Sequence, residues 1–358
     1  MTTYLLAGGG TAGHVNPLLA VADKIMQREV DATVLVLGTA EGLEARLVPA
    51  RGYELLTIAK LPFPRRPNAA ALKFPARLRA AVDETVAIIE SRGVDVVIGF
   101  GGYAAAPAYL AARRAQKPLI VHEANARAGI ANKLGSWITS HVGVAFHSSR
   151  IRNATFVGMP LRSEIEHLDR HESRQLGLAE FGLDPAKPVL LVTGGSTGAR
   201  SINRTVSESV ALILGAGWQV LHIAGEKTEV GDPGLTGYRF LTYCDRMDLA
   251  IAVAEFAVSR SGSATVSEFS AIGVPAVYIP YPVGNGEQRF NATDQVDAGG
   301  ALVIRDAEFT PEWVSSTLVP LLGDRALIAE MAARTASIGV LDGADRFVDL
   351  VARAVRAD

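Results

Sequence analysis

Tyr4-Leu5-Leu6-Ala7-Gly8-Gly9-Gly10-Thr11-Ala12-Gly13-His14 decides the fold: a short apolar run breaks into glycines and then into a helical pattern. Glycine allows positive φ and lets another group approach the main chain closely. At a strand-to-helix turn this exposes N–H groups and the positive end of the helix dipole to a phosphate. The same grammar returns where Val189-Leu190-Leu191-Val192-Thr193 runs into Gly194-Gly195-Ser196-Thr197-Gly198-Ala199. Two such openers predict an α/β protein of two doubly wound, Rossmann-like halves, with a ligand in a cleft between them.

The rest of the chain fits this reading. Its 358 residues exceed what one core normally supports, so two domains are expected. With 49% hydrophobic and 20% charged residues, it is globular rather than disordered. Strands are predicted at Thr3–Ala7, Thr33–Leu37, Glu54–Ile58, Val94–Gly99, Leu119–His122, Val142–Phe146 and Thr155–Val157. The second half predicts Val189–Thr193, Gln219–Ala224, Phe256–Ser259, Ala276–Ile279 and Ala301–Ile304. Helical patterns there run over 199–214, 248–253, 264–271, 288–298, 311–322 and 325–337. Gly158-Met159-Pro160-Leu161-Arg162 interrupts the alternation, giving domains 1–158 and 159–340 and a last helix in 341–358 that packs back on the first domain. Asn16-Pro17 reads as a helix start, Asn capping and Pro in the first turn, which leaves His14 in the loop ahead of it.

Composition bounds the chemistry. The formal charge is −2, yet Lys60, Arg65, Arg66, Lys73, Arg77 and Arg79 crowd one segment, interleaved with Pro62, Phe63, Phe74, Pro75 and Leu78. That mixture suits an anionic membrane surface, or is simply a solvated loop; the patch is too short to point to nucleic acid. Cys244 is the only cysteine, so no internal disulfide forms; it reads as a small hydrophobe rather than a nucleophile, since no histidine lies near it in sequence. The first residues lack a basic n-region, and no apolar run reaches the roughly 20 residues a membrane span needs. A cytoplasmic protein with peripheral membrane contact is expected.

Gly8 to Gly13 satisfies G-x-G-x-x-G, but the dinucleotide reading wants an acid at the end of the second strand, where the chain has Gly38-Thr39-Ala40 before Glu41. The loop either binds a phosphate or only turns the chain. His14 beside it either accepts a proton or satisfies backbone groups. Gly99-Phe100-Gly101-Gly102-Tyr103 leaves room for a substrate or for close packing, and Asn125, after His122-Glu123-Ala124, binds a hydroxyl or forms a turn. In Ser259-Arg260-Ser261-Gly262-Ser263-Ala264-Thr265-Val266-Ser267-Glu268, Arg260 suits phosphate and Glu268 suits ribose hydroxyls, although a glutamate early in a helix also answers the dipole. The loop from Pro280 to Asn291 carries polar groups able to reach a sugar, or is an exposed connection. P-loop and zincin motifs are absent from the sequence.

Together the segments resemble the MurG family of bacterial glycosyltransferases. The resemblance rests on Gly8 to His14 with Asn16-Pro17, Gly101-Gly102-Tyr103, His122-Glu123-Ala124-Asn125, Gly158-Met159-Pro160-Leu161-Arg162, Gly194 to Arg200, Arg260-Ser261-Gly262 with Thr265 to Glu268, and Gln288 with Asn291, in the family's order across nearly the whole chain. It implies a GT-B fold and inverting transfer of N-acetylglucosamine from UDP-N-acetylglucosamine to the muramyl 4-hydroxyl of undecaprenyl-pyrophosphoryl-MurNAc-pentapeptide (lipid I to lipid II). Ser196, Arg162, Thr265, Glu268 and Gln288 would hold the donor, Glu268 on the ribose and Gln288 on the sugar. Thr11, Gly13 and Arg260 are further substrate-contact candidates; Gly10, Gly102 and Tyr103 belong to the acceptor loops. His14 and Asn125 would serve at the reacting centre, His14 as general base. Glu287 departs from the Gln or His that relatives often carry. No metal is required, since loop N–H groups and helix termini would stabilise the leaving diphosphate. The implied partners are both substrates, the inner membrane face and proteins of cell-wall synthesis and division. Alternatives are another UDP-sugar enzyme of this architecture, such as a 2-epimerase or a transferase to a different lipid, and a nicotinamide oxidoreductase.

Overall fold

Side-chain alternation along the first strand explains how the amino-terminal unit is layered. In the computed structural model, which describes residues 1–64, 69–195, 198–282 and 286–357, β1 (Thr3–Ala7) sends Tyr4 and Leu6 into one apolar cluster and Leu5 and Ala7 into another. Both faces are buried, so the strand reads as a continuous apolar run. The unit continues through α1 (Ala12–Arg28), β2 (Thr33–Gly38), α2 (Glu44–Ala50), β3 (Glu54–Thr57), α3 (Ala69–Ser91), β4 (Val96–Gly99), α4 (Ala105–Arg114), β5 (Leu119–Glu123), α5 (Ile130–Ile138), β6 (Val142–Val144) and β7 (Ala154–Phe156). The strands form one parallel sheet in the order β3-β2-β1-β4-β5-β6-β7, with Leu5 in register with Leu35 on one side and Val97 on the other.

The second unit runs through α6 (Ser163–Glu166), α7 (Arg170–Phe181), β8 (Val189–Thr193), α8 (Arg200–Gly215), β9 (Gln219–Ile223), β10 (Tyr238–Leu241), α9 (Met247–Val253), β11 (Phe256–Ser259), α10 (Ser263–Ile272), β12 (Ala276–Tyr278), α11 (Gln288–Asn291), α12 (Thr293–Asp297), β13 (Ala301–Val303), α13 (Pro311–Trp313), α14 (Val319–Gly323) and α15 (Arg325–Ser337). Its sheet, also all parallel, has the order β10-β9-β8-β11-β12-β13. Counted within the unit, that is the order of the first six strands of the other sheet, which adds β7 at its edge. Both sheets are Rossmann-like and doubly wound.

The chain divides after Arg162 and again after Leu341, so that Asp342–Asp358 joins Met1–Arg162. The 158–162 segment goes with the first unit because the Gly158 N–H donates to the Val144 carbonyl (3.2 Å) and the Gly158 carbonyl meets His122 Nε2 (3.1 Å). The last helix, α16 (Gly343–Ala357), buries Phe347, Val348, Leu350, Val351 and Ala354 in the cluster that holds Tyr4, Leu6 and α1. Lys24 and Arg28 of α1 bind Asp345 at 2.9 and 2.5 Å, and Arg28 also binds Asp349 at 2.6 Å.

Several sequence expectations need correction. α1 begins at Ala12, not at Asn16-Pro17: the Thr11 carbonyl accepts from the His14 and Val15 N–H groups (3.0 and 3.1 Å), and Thr11 is the extended N-cap. Pro17 lies inside the helix, where it costs only the hydrogen bond to the Gly13 carbonyl near the helix end. His14 therefore sits in the first turn, not in the preceding loop. The pattern over 288–298 is two short helices, because buried Asn291 turns its amide to the Ser261 carbonyl (3.1 Å) at the break. Within 311–322 a π-turn at Val314–Leu318 lets the Val319 N–H reach the Val314 carbonyl just before Pro320, which has no N–H to give. β10 was not expected at all: it is an edge strand whose apolar run is broken by an exposed Arg239.

Candidate active site

A doubly wound sheet binds ligands where its strand order reverses, beyond the carboxyl ends of the strands. In the first unit the reversal lies between β1 and β4, in the second between β8 and β11. The glycine turns singled out in the sequence follow those four strands.

In the first unit the loops after β1 and β4 interlock. Gly9 and Gly10 have φ of 156° and 89°, and Gly101 and Gly102 have 85° and 87°, conformations that favour glycine. A Cβ on Gly102 would overlap the Gly9 carbonyl oxygen and lie 3.0 Å from its nitrogen; one on Gly101 would lie 3.2 Å from Cδ2 and Nε2 of His14. His14 Nδ1 is 3.2 Å from the Gly9 carbonyl oxygen and 3.2 Å from Thr11 Oγ1. A carbonyl only accepts, so Nδ1 carries a proton and, in the neutral ring, Nε2 keeps its lone pair. That is the form a general base needs. Thr11 and Gly13 precede this ring in sequence; half-exposed Tyr103 lies beside Gly10, with Lys60 Nζ 5.3 Å from its ring centroid.

The end of β5 supplies the neighbouring polar wall. Buried Glu123, not assigned a role from sequence, accepts from the Asn125 N–H (2.8 Å), Asn125 Nδ2 (3.3 Å), the Gly129 N–H (2.9 Å) and Asn132 Nδ2 (2.9 Å). Asn132 also donates to the His122 carbonyl (3.1 Å) and accepts from the Tyr109 hydroxyl (2.7 Å). Asn125 is thus oriented by a carboxylate that bridges the strand end to α5. His122 is fully buried: burial pushes its pKa down to about 4, against the pull of the Gly158 carbonyl, with His14 lowering it slightly further. It is neutral at pH 7 and is not the base. Half-buried Arg162 closes this unit.

A second buried glutamate was also missed. Glu44, 1% exposed, reaches from the start of α2 to the first glycine loop and accepts from the Gly10 N–H (2.7 Å), the Thr39 N–H (3.0 Å) and Thr39 Oγ1 (2.8 Å). The acid sought at the end of β2 is therefore present, but it grips the loop from within. A signal existed in Gly38-Thr39-Ala40-Glu41-Gly42-Leu43-Glu44, whose glycines leave the room this side chain fills.

In the second unit, Gly198 (φ 76°) rests against the Ala224 carbonyl, and Ser196 and Thr197 of that loop lie outside the described residues. α8 starts after Ala199 and α10 after Gly262; neither has a side-chain cap or an acid in its first turn. Thr265 and Glu268, spaced three apart on α10, are both half-buried. Gln288 Oε1 accepts from the Tyr281 N–H (2.9 Å), while its carbonyl accepts from Ser261 Oγ (2.8 Å), tying α11 to the start of α10. Glu287 Oε2 is buried without a hydrogen-bond partner among the described residues. Gly284 and Asn285 lie outside them.

Arg260, offered by the sequence as a phosphate contact, is engaged within its own unit. Its guanidinium pairs with Asp306 and donates to the carbonyls of Ile279 (3.0 Å) and Pro280 (3.3 Å) and to Ser201 Oγ (3.1 Å), with the Tyr281 ring 5.6 Å away. Its donors hold the ends of β11 and β12 and the start of α8 together.

Burial, the largest influence, raises the Cys244 thiol above its usual range, the opposite of an activated nucleophile. No group of three or more metal-binding side chains occurs among the described residues, and none of their helices is long and apolar enough to cross a membrane. In the basic segment, Phe63 and Leu78 turn to the core and Phe74 packs on Phe63 (5.3 Å), leaving Leu72 at 85% exposure among Lys73, Arg77 and Arg79; Arg65 and Arg66 lie outside the described residues.

Comparison with known proteins agrees with the fold. Residues 4–144 match the glycosyltransferase family 28 N-terminal domain and residues 189–347 the family's C-terminal domain. A protein of Leifsonia xyli subsp. xyli named UDP-N-acetylglucosamine--N-acetylmuramyl-(pentapeptide) pyrophosphoryl-undecaprenol N-acetylglucosamine transferase is 63% identical over 351 residues, 98% of each chain. One of the same name from Clavibacter sepedonicus is 59% identical, covering 99% of this chain and 97% of that one. The crystal structure of MurG from Acinetobacter baumannii is 27% identical with a TM-score of 0.80, covering 99% of this chain and 100% of that one. With both domains matched in order and such identity over its whole length, the chain belongs to glycosyltransferase family 28.

Proposed function

We propose that the protein transfers N-acetylglucosamine from UDP-N-acetylglucosamine to the muramyl 4-hydroxyl of undecaprenyl-pyrophosphoryl-MurNAc-pentapeptide. The observation that carries the reading beyond its relatives' names is the placement of His14: Nδ1 lies 3.2 Å from the Gly9 carbonyl, which only accepts, so the neutral ring carries its lone pair on Nε2. The acceptor oxygen attacks C1 of the sugar as its proton passes to Nε2; the C1–O bond to UDP breaks and the configuration inverts. Asn125, braced by Glu123, orients the acceptor with Thr11, Gly13, Gly10, Gly102 and Tyr103 around it. Thr265, Glu268, Gln288 and Arg162 hold the donor with Ser196, Glu268 on the ribose. The diphosphate meets the uncapped helix starts of the second unit, which lowers the leaving group's charge without a metal.

A lipid-linked acceptor requires a membrane approach, and the cationic surface around Leu72 suits an anionic leaflet, with the protein peripheral at the inner face. Proteins of cell-wall synthesis and division are its natural neighbours there.

The test is a transfer assay with a lipid-pyrophosphate acceptor. UDP release should require the acceptor and yield the β-linked disaccharide; release without acceptor, with epimerised amino sugar, would favour an epimerase. General-base loss is worth about 10²- to 10⁴-fold, so His14→Ala should lower kcat by that factor and leave donor KM nearly unchanged. Glu268→Gln should do the reverse, raising donor KM. A His14→Ala variant with near-normal turnover would end the assignment.

A further inference from the structure

The first glycine loop is held by an anion that belongs to the protein. Glu44 is buried against three donors, and Gly9, Gly38 and Gly42 would each drive a Cβ into its side chain, so the cradle is shaped around that carboxylate. In a dinucleotide-binding turn the loop amides face a pyrophosphate. Here the Gly10 amide faces Glu44 at 2.7 Å instead. Burial alone would raise the carboxyl's pKa, but hydrogen bonds from the Gly10 amide, its own backbone N–H and Thr39 outweigh it and keep the pKa below the usual glutamate range. The group stays charged at neutral pH.

The peptide that carries the Gly10 N–H also carries the Gly9 carbonyl, because the two belong to one planar unit. Glu44 fixes one end of that plane and His14 Nδ1 bonds to the other at 3.2 Å. We propose that Glu44 is a positioning residue: by holding the Gly9–Gly10 peptide it sets the tautomer and direction of the His14 imidazole. The inference rests on the reading of His14 as general base. Glu44 acts on that ring through one peptide unit and touches no substrate.

Glu44→Gln keeps the volume but replaces one acceptor oxygen by an N–H₂ group, which must face either Gly10 N–H or the Thr39 donors and repel them. In the full-length protein, kcat should fall about 10- to 100-fold while KM for UDP-N-acetylglucosamine stays within about twofold, as expected for a lost interaction confined to the acceptor side. Independently of activity, ¹⁵N NMR of the His14 ring should show a fixed Nδ1–H tautomer in the wild type and a mixture in Glu44→Gln. Glu44→Asp, too short to span both loops, should resemble Glu44→Gln. A folded Glu44→Gln protein with wild-type kcat, or with an unchanged His14 tautomer, overturns the proposal. If Glu44→Gln lost its native circular dichroism, Glu44→Asp would decide by the same two readouts. Absence of transfer by the wild type would instead remove the functional reading, and the NMR arm would still judge the link from Glu44 to His14.

Discussion

Gly102→Ala tests the interlock of the two glycine loops, and Gly52→Ala supplies its control. Both residues have positive φ, 87° and 82°, so each substitution brings about 1–2 kcal/mol of backbone strain. They differ in surroundings. Around Gly52 a Cβ meets nothing within 4 Å, whereas at Gly102 it overlaps the Gly9 carbonyl oxygen and sits 3.0 Å from the Gly9 nitrogen. Backbone cannot rotate away as a flexible side chain can, so relief needs a loop shift of the kind that costs about 1–3 kcal/mol. Once the stiffer unfolded chain is counted for both, Gly102→Ala should destabilise the first unit by about 1.5–4.5 kcal/mol and Gly52→Ala by about 1 kcal/mol. Urea titration followed by hydrogen exchange of peptides from residues 1–64 reads that unit by itself. The shift moves Gly9, and with it the partner of His14, so kcat should also fall in Gly102→Ala and not in Gly52→Ala. Equal stability loss in the two variants, within about 0.5 kcal/mol, would refute the contact.

His122 and His222 are buried with pKa values pushed down to about 4 by burial, against about 6.5 in an unfolded chain. The unfolded state binds more protons between those limits, so stability is full above pH 6.5 and is lost as pH falls toward 4, by about 3 kcal/mol per histidine. His122→Gln should lower by about one the proton uptake measured from unfolding free energy against pH in that window, and an unchanged slope would contradict it. Phe347→Ala removes the ring that α16 packs against Gly143, Phe100 and His122, with centroids 5.8 and 5.1 Å from the last two. It should cost about 3–5 kcal/mol and raise protease cleavage near residue 342; a loss under 1 kcal/mol would mean that the helix is held elsewhere.

The sequence is most informative where a residue's task is local. Strand ends at Ala7, Gly99, Thr193 and Ser259 follow from apolar runs that stop at polar or glycine residues; which of their loops lie at the switch points is given by the strand order of the fold. What stayed hidden depends on partners distant along the chain. Arg260 reads as a phosphate cation until Asp306 and the Ile279 carbonyl claim it. Glu123 reads as a neighbour of Asn125, and only the fold brings Gly129 and Asn132 to its second oxygen. The amphipathic end of the chain announces a packed helix, but its bed on α1, with Asp345 between Lys24 and Arg28, is a tertiary fact. His14 was misplaced by one turn because Asn16-Pro17 imitates a helix start that Thr11 already provides.

The two units differ, among the described residues, in what meets the amides at their switch points. In the first, Glu44 occupies the Gly10 amide; a diphosphate brought within about 4 Å of that carboxylate would meet repulsion of about 4 kcal/mol per charge at an effective dielectric of 20. In the second, α8 and α10 begin at Ala199 and Gly262 with no capping side chain and no acid in the first turn, so their amides and dipoles favour an anion. The same argument bears against a nicotinamide cofactor at the first loop, whose sequence matches the dinucleotide pattern but whose anion site the protein fills itself. The division of tasks we propose follows from that contrast: the nucleotide goes to the second unit, whose helix starts are uncapped, and the first unit, whose loop amide is already taken by Glu44, uses the rigid peptide to aim an imidazole.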